Sequence, residues 1–159
     1  MLLRRRAWDI LRDDYPVVKI DDPLAEAIRK LNVCASEGCL CALVKDRNGR
    51  VKGAVSIWDT MRFMEDTLLH GDGMKCLDEN RYEQMFTNAC KVSGSISVKD
   101  VMDKEMTVIR PDEPLLLVLE DFVKKGRSYA VVMEGGHVIG VIMINDIYKE
   151  ISDQILARG

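Results

Sequence analysis

The chain has 159 residues, 47% of them apolar and 31% charged, with a formal net charge of −3. That balance is ordinary for a globular protein and excludes a general electrostatic attraction to nucleic acid. No apolar run approaches the roughly 18 residues of a membrane span, and Met1-Leu2-Leu3 followed by arginines is no signal peptide, so a cytoplasmic location without a membrane partner is expected.

In chain order, Arg4-Arg5-Arg6 could form a basic arm but reads more readily as a solvated tail, and residues 7–12 as a short helical turn. Val17 to Ile20 reads as a strand ending at Asp21-Asp22-Pro23, where an acidic residue before proline starts a helix. Leu24, Ala27, Ile28 and Leu31 give that helix one apolar face. Leu40 to Val44 is a second strand, Asp46-Arg47-Asn48-Gly49 a hairpin turn whose Asn-Gly suits positive φ, and Val51 to Val55 the returning strand. A helix with a stripe of Ile57, Met61, Met64 and Leu68 follows. His70-Gly71-Asp72-Gly73 reads as a helix stop and loop. Tyr82, Met85, Phe86 and Ala89 mark an additional amphipathic helix, either simply docked or a partner-binding or ligand-capping element, and Ser93-Gly94-Ser95 releases the chain beyond it.

The same order then returns. Val108 to Arg110, the helix with Leu115, Val118, Leu119 and Phe122, the strands Tyr129 to Met133 and Val138 to Ile142 around Glu134-Gly135-Gly136, and a helix striped by Ile144, Ile147, Ile151 and Ile155 repeat the first half. Asp9-Ile10-Leu11 and Val17-Val18-Lys19 recur 91 positions later, whereas Gly53 and Asp59 recur as Gly140 and Asp146, 87 positions later. One supersecondary unit is used twice, the first copy carrying four extra residues. Each copy, at about 55 to 65 residues, is marginal for a core of its own, so the two are expected to pack together. The expected boundaries are 1–69, a connecting segment 70–96 with the extra helix, and 97–159; the class is α+β.

Ser56-x-x-Asp59 has two readings. It matches a capping box, in which the serine satisfies an amide of the first turn and the acid reaches back to the serine amide. Equally, a carboxylate at a helix start can accept from both hydroxyls of a ribose, with the serine hydroxyl and free amides receiving phosphate. Both roles can coexist. In the second copy Asp146 remains but Met143 replaces the serine, so the first site should be the better one. Arg127 could add phosphate charge or be solvated. No Gly-rich phosphate loop occurs.

Five cysteines, Cys34, Cys39, Cys41, Cys76 and Cys90, suggest reduced thiols rather than a disulfide frame. Cys34-x4-Cys39-x-Cys41 lacks the paired knuckles or histidines of a zinc site, and Cys41 reads as a buried small hydrophobe. No metal site and no catalytic constellation is expected, hence no enzyme.

The order of elements, the Gly53 to Asp59 and Gly140 to Asp146 endings, and the doubling resemble a tandem pair of cystathionine-beta-synthase (CBS) domains, a Bateman module. The resemblance implies two pseudo-symmetric units of strand, helix, strand, strand and helix packed sheet to sheet. It also implies clefts between them for an adenosine nucleotide (AMP, ADP or ATP) or an adenosyl ligand such as S-adenosylmethionine, and a homodimer formed through helices. By the same resemblance the adenine lies near Val17, Cys41 and Ala42 in the first copy and Val108, Tyr129 and Ala130 in the second. Ala42 and Ala130 stand where many family members carry proline. Tyr129 would stack on the base or sit as a partly exposed strand aromatic. The expected function is a regulatory sensor that needs no cofactor for chemistry and acts on an unidentified protein, in a separate chain or a longer version of this one. The alternative is a ligand-free association module using Met-rich helical faces (Met61, Met64, Met85).

Overall fold

A computed structural model describes residues 4–69 and 79–158. In chain order it contains α1 (Ala7–Ile10), β1 (Val17–Lys19), α2 (Leu24–Cys34), β2 (Cys41–Lys45), β3 (Val51–Ser56) and α3 (Ile57–Leu69). These are followed by α4 (Glu79–Ser95), β4 (Val108–Ile109), α5 (Leu115–Lys125), β5 (Tyr129–Glu134), β6 (His137–Met143) and α6 (Ile144–Arg158). The loop expected at His70 to Gly73 lies outside the described residues.

Two three-stranded sheets form, ordered β1-β2-β3 and β4-β5-β6. In each, the first strand runs parallel to the second and the hairpin partner antiparallel. The crossover through α2 or α5 makes the parallel pairing possible. The chain is α+β, as its repeat pattern indicated.

The sequence repeats and the spatial units divide the chain differently. One compact unit comprises residues 16–33 and 41–104, the other residues 1–15, 34–40 and 105–159. In the first unit, Val18, Leu24, Ala27, Leu31, Ala42, Val44, Val55 and Val98 form the buried core. In the other, Ala7, Leu115, Val118, Phe122, Ala130, Val132, Ile142 and Ile147 do the same. Ala7 and Val98 hold corresponding places, so each core is completed by the segment that precedes the opposite repeat.

Those segments also explain the glycine that opens each repeat ending. The Asp103 carbonyl accepts from the Ala54 amide at 3.1 Å, and the Asp103 amide donates back to the Ala54 carbonyl at 2.8 Å. Arg12 makes the same pair with Val141 in the other unit, at 2.9 and 2.8 Å. A Cβ on Gly53 would stand 2.6 Å from the Asp103 carbonyl oxygen, and one on Gly140 2.6 Å from that of Arg12. Only glycine admits a crossing backbone this close.

Several local expectations need correction. The first hairpin takes positive φ only at Gly49, not at Asn48, because Asp46 Oδ1 accepts from the Asn48 and Arg50 amides and a bulge precedes the turn at Val44/Lys45. Two of the three tail arginines are docked rather than solvated: Arg5 donates to Glu150 at 2.9 Å and Arg6 to the Asp112 carbonyl at 3.2 Å, whereas Arg4 is exposed. Ser93-Gly94-Ser95 does not release the chain but completes α4, with Ser93 buried and donating to the Met64 sulfur. The stripes on α3 and α6 are only partly inward. Ile57, Met61, Ile144 and Ile155 are exposed, while Phe63, Ile147 and Ile151 meet the cores.

Candidate functional site

The Ser56 to Asp59 turn, where β3 passes into α3, is a complete reciprocal cap. The Ser56 amide donates to Asp59 Oδ2 at 2.8 Å, the Ser56 hydroxyl donates to the same oxygen at 2.9 Å, and the Asp59 amide donates to the Ser56 hydroxyl at 3.1 Å. Ser56 is 3% and Asp59 8% exposed. The capping arrangement satisfies amides that a helix start would otherwise leave without partners. It commits one carboxylate oxygen, Oδ2, and leaves Oδ1 without a bond among the described residues.

At the corresponding turn from β6 into α6 the carboxylate is used differently. Asp146 Oδ2 accepts from the Met143 amide at 3.1 Å and from Arg12 Nε at 2.9 Å, while Oδ1 accepts from Arg12 Nη2 at 2.7 Å. The two-pronged pairing matches guanidinium to carboxylate, and it is the geometry in which such pairs are strongest. The hydrogen bond to Asp146 is the main cause that raises the Arg12 pKa above its ordinary value. Arg12 Nη1 continues to the Glu37 carbonyl at 2.5 Å and lies 3.9 Å from the Cys39 sulfur. In the backbone pairing the place of Arg12 is taken in the first-copy unit by Asp103, an acidic residue where the other unit has a basic one.

The ladder register groups the remaining candidate residues. Cys41 pairs with Ser56 and Ala42 with Val55, while Val17 pairs with Leu43, two residues along from Cys41. Because side chains alternate along a strand and paired residues share a face, Val17, Cys41 and Ser56 lie on one face of the sheet. Ala42 lies on the other, inside the core. The second copy behaves alike: Val108 pairs with Val131 and Tyr129 with Met143, and Ala130 is a core residue. Each alanine therefore offers a ligand at that end its backbone alone. Tyr129 is 4% exposed, which corrects its reading as a partly exposed aromatic.

Each unit also has a groove along its first strand. One, of about 570 Å3, is lined by Val17, Lys19, Lys30, Lys45 and Arg47 among others, and Lys30 Nζ donates to the Val17 carbonyl at 2.6 Å. The other, of about 500 Å3, includes Val108, Arg110, Lys125 and Arg127. Both fall within the size of small-molecule sites. Arg127 donates to the Glu105 carbonyl at 3.3 Å and so is not merely solvated.

Sequence reasoning missed Arg12. A comparison of the repeats at that position was the available signal, since arginine against Asp103 is a charge reversal inside an otherwise matching segment.

The chain belongs to the CBS domain family, whose match covers residues 7–66 and 98–153. Among solved structures it is similar to a CBS-domain containing protein from Agrobacterium tumefaciens, at 19% identity and a TM-score of 0.66, covering 92% of this chain and 93% of that one. It is also similar to a CBS domain pair in complex with 5′-methylthioadenosine and S-adenosyl-L-methionine, at 14% identity and a TM-score of 0.64, covering 94% and 98%. A third is the cytosolic domain of the Mg2+ channel MgtE in complex with ATP, at 18% identity and a TM-score of 0.60, covering 91% of this chain and 48% of that one. No curated protein matches. No described helix is long and apolar enough to cross a membrane.

Proposed function

We propose that this chain is a regulatory module that takes an adenosine nucleotide or adenosyl ligand, with the Ser56 to Asp59 end of the first-copy unit as its sugar-binding contact. The observation that carries this reading is the uncommitted Oδ1 of Asp59, against an Asp146 whose two oxygens are both held by Arg12. A ribose offers two vicinal hydroxyl donors, for which a spare carboxylate oxygen is the suitable acceptor. Val17 and Cys41, on the same face of the sheet as Ser56, and the Ala42 backbone form the base-binding part of the proposal. Relatives of the same fold solved with ATP and with adenosyl ligands support the ligand class. The module works without catalysis, in the cytoplasm, by shifting a regulated protein between states. That shift is bounded by the ligand's affinity difference between those states.

A thermal-shift panel of AMP, ADP, ATP and S-adenosylmethionine tests the reading. A ligand at 100 times its Kd adds about 2.7 kcal/mol of stability. At least one ligand is expected to raise Tm in the wild type and to lose that effect in Asp59→Asn; a flat response to all four contradicts the proposal.

A second reading has its own support. Trp58 is 60% and Met61 55% exposed on α3, and Tyr148, Ile155 and Leu156 are exposed on α6. Such faces suit self-association into a homodimer, whether or not a ligand binds.

A further inference from the structure

Of the three cysteines singled out in the sequence, Cys41 is a strand residue, whereas Cys34 and Cys39 bracket a turn. At the end of α2 a 3-10 turn, Ala35–Glu37, is closed by Gly38 at φ 80°. The Gly38 amide donates to the Ala35 carbonyl at 3.1 Å and the Cys39 amide to the Cys34 carbonyl at 3.3 Å. This nested pair of bonds is a Schellman motif, in which the residues at the two ends of the longer bond bring their side chains into contact. Here both of those residues are cysteines. The Glu37 carbonyl and the Cys39 sulfur of the same turn are the groups against which Arg12 Nη1 rests, while the rest of its guanidinium holds Asp146.

We propose that Cys34 and Cys39 form a reversible dithiol–disulfide site, and that closing it fastens the turn that holds Arg12 on Asp146. The oxidant class is a low-molecular-weight disulfide. Cys34 is half-buried and Cys39 buried, so Cys34 reacts first. Its thiol gives up a proton and attacks one sulfur of the disulfide, and one half of that molecule leaves as a thiolate. Cys39 then gives up its proton and attacks the Cys34 sulfur of the mixed disulfide, expelling the second half. The protein dithiol is oxidised by two electrons, and the small disulfide is reduced to two thiols. Burial, followed by the hydrogen bond with Cys34, pushes the Cys39 thiol up to about 11, and the nearby Arg12 charge works against that rise. Arg12 thus offsets part of the rise against the thiolate that the second step needs. The site stands independently of the nucleotide reading.

The test equilibrates the full chain in glutathione buffers of rising oxidised fraction, quenches with N-ethylmaleimide under unfolding conditions, and maps the peptides by mass. An internal Cys34–Cys39 disulfide is expected, reversed by dithiothreitol, with Cys41, Cys76 and Cys90 alkylated. Cys39→Ser is expected to stop at a glutathione adduct on Cys34. Full alkylation of Cys34 and Cys39 at every ratio, or pairing with another cysteine, overturns the site. In the oxidised wild type the Arg12 Nε proton should exchange with water more slowly than in the reduced protein; equal or faster exchange overturns the link to Arg12.

Discussion

At the scale of single residues, the glycines show most directly why the repeated ending has its form. Gly53 and Gly140 lie where another backbone crosses, and a methyl group added at either would come within 2.6 Å of the crossing carbonyl oxygen. Gly94 is different: it lies inside α4, where an added Cβ would only meet the Ala25 side chain at 4.0 Å. The same chemical change should therefore have opposite signs. Gly53→Ala and Gly140→Ala are each expected to lower stability by about 1–3 kcal/mol through overpacking. Gly94→Ala should raise it by about 0.4–1 kcal/mol, since the unfolded chain loses freedom and the helix accepts the methyl. Urea unfolding of the three variants checks this; equal effects at all three sites would remove the crossing backbone as the reason for the glycine.

At the scale of elements, the start of α3 carries two demands on one side chain. Removing the carboxylate in Asp59→Ala abolishes both bonds into Asp59 Oδ2 and is expected to cost about 0.5–2 kcal/mol, the range for a lost cap. Asp59→Asn keeps an acceptor for the Ser56 amide and should lose less, so chemical denaturation of the pair separates capping from charge. If the two variants were equally unstable, the cap would not be what Asp59 contributes. The elements themselves were largely legible in the sequence, because Leu24, Ala27 and Leu31 recur as Leu115, Val118 and Phe122 and sit in matching cores. The cap was legible too, since its partners are three residues apart. The Arg12 to Asp146 pair was not, since its members are separated by 134 positions and nothing local to either announces the other. Nor was the outward turn of Ile57 and Met61, because apolar spacing defines a stripe without saying what covers it. The extra residues of the first copy fall mostly in one place. The offset between matching core residues drops from 91 at Leu31 and Phe122 to 88 at Ala42 and Ala130, so three of the four lie in the turn that carries Cys34 and Cys39.

At the scale of the whole molecule, duplication produced two units alike in topology and core but unlike in charge at their Gly-to-Asp endings. Arg12 supplies internally, to Asp146, the donors that Asp59 would receive from a sugar. An adenosyl ligand should accordingly occupy one site per chain rather than two. Calorimetric titration of the wild type, Asp59→Asn and Asp146→Asn with ATP and with S-adenosylmethionine measures this directly. One equivalent per chain is expected for whichever ligand binds, abolished by Asp59→Asn and retained by Asp146→Asn. Binding that survives Asp59→Asn and is lost in Asp146→Asn would contradict the assignment of the sugar contact to Asp59.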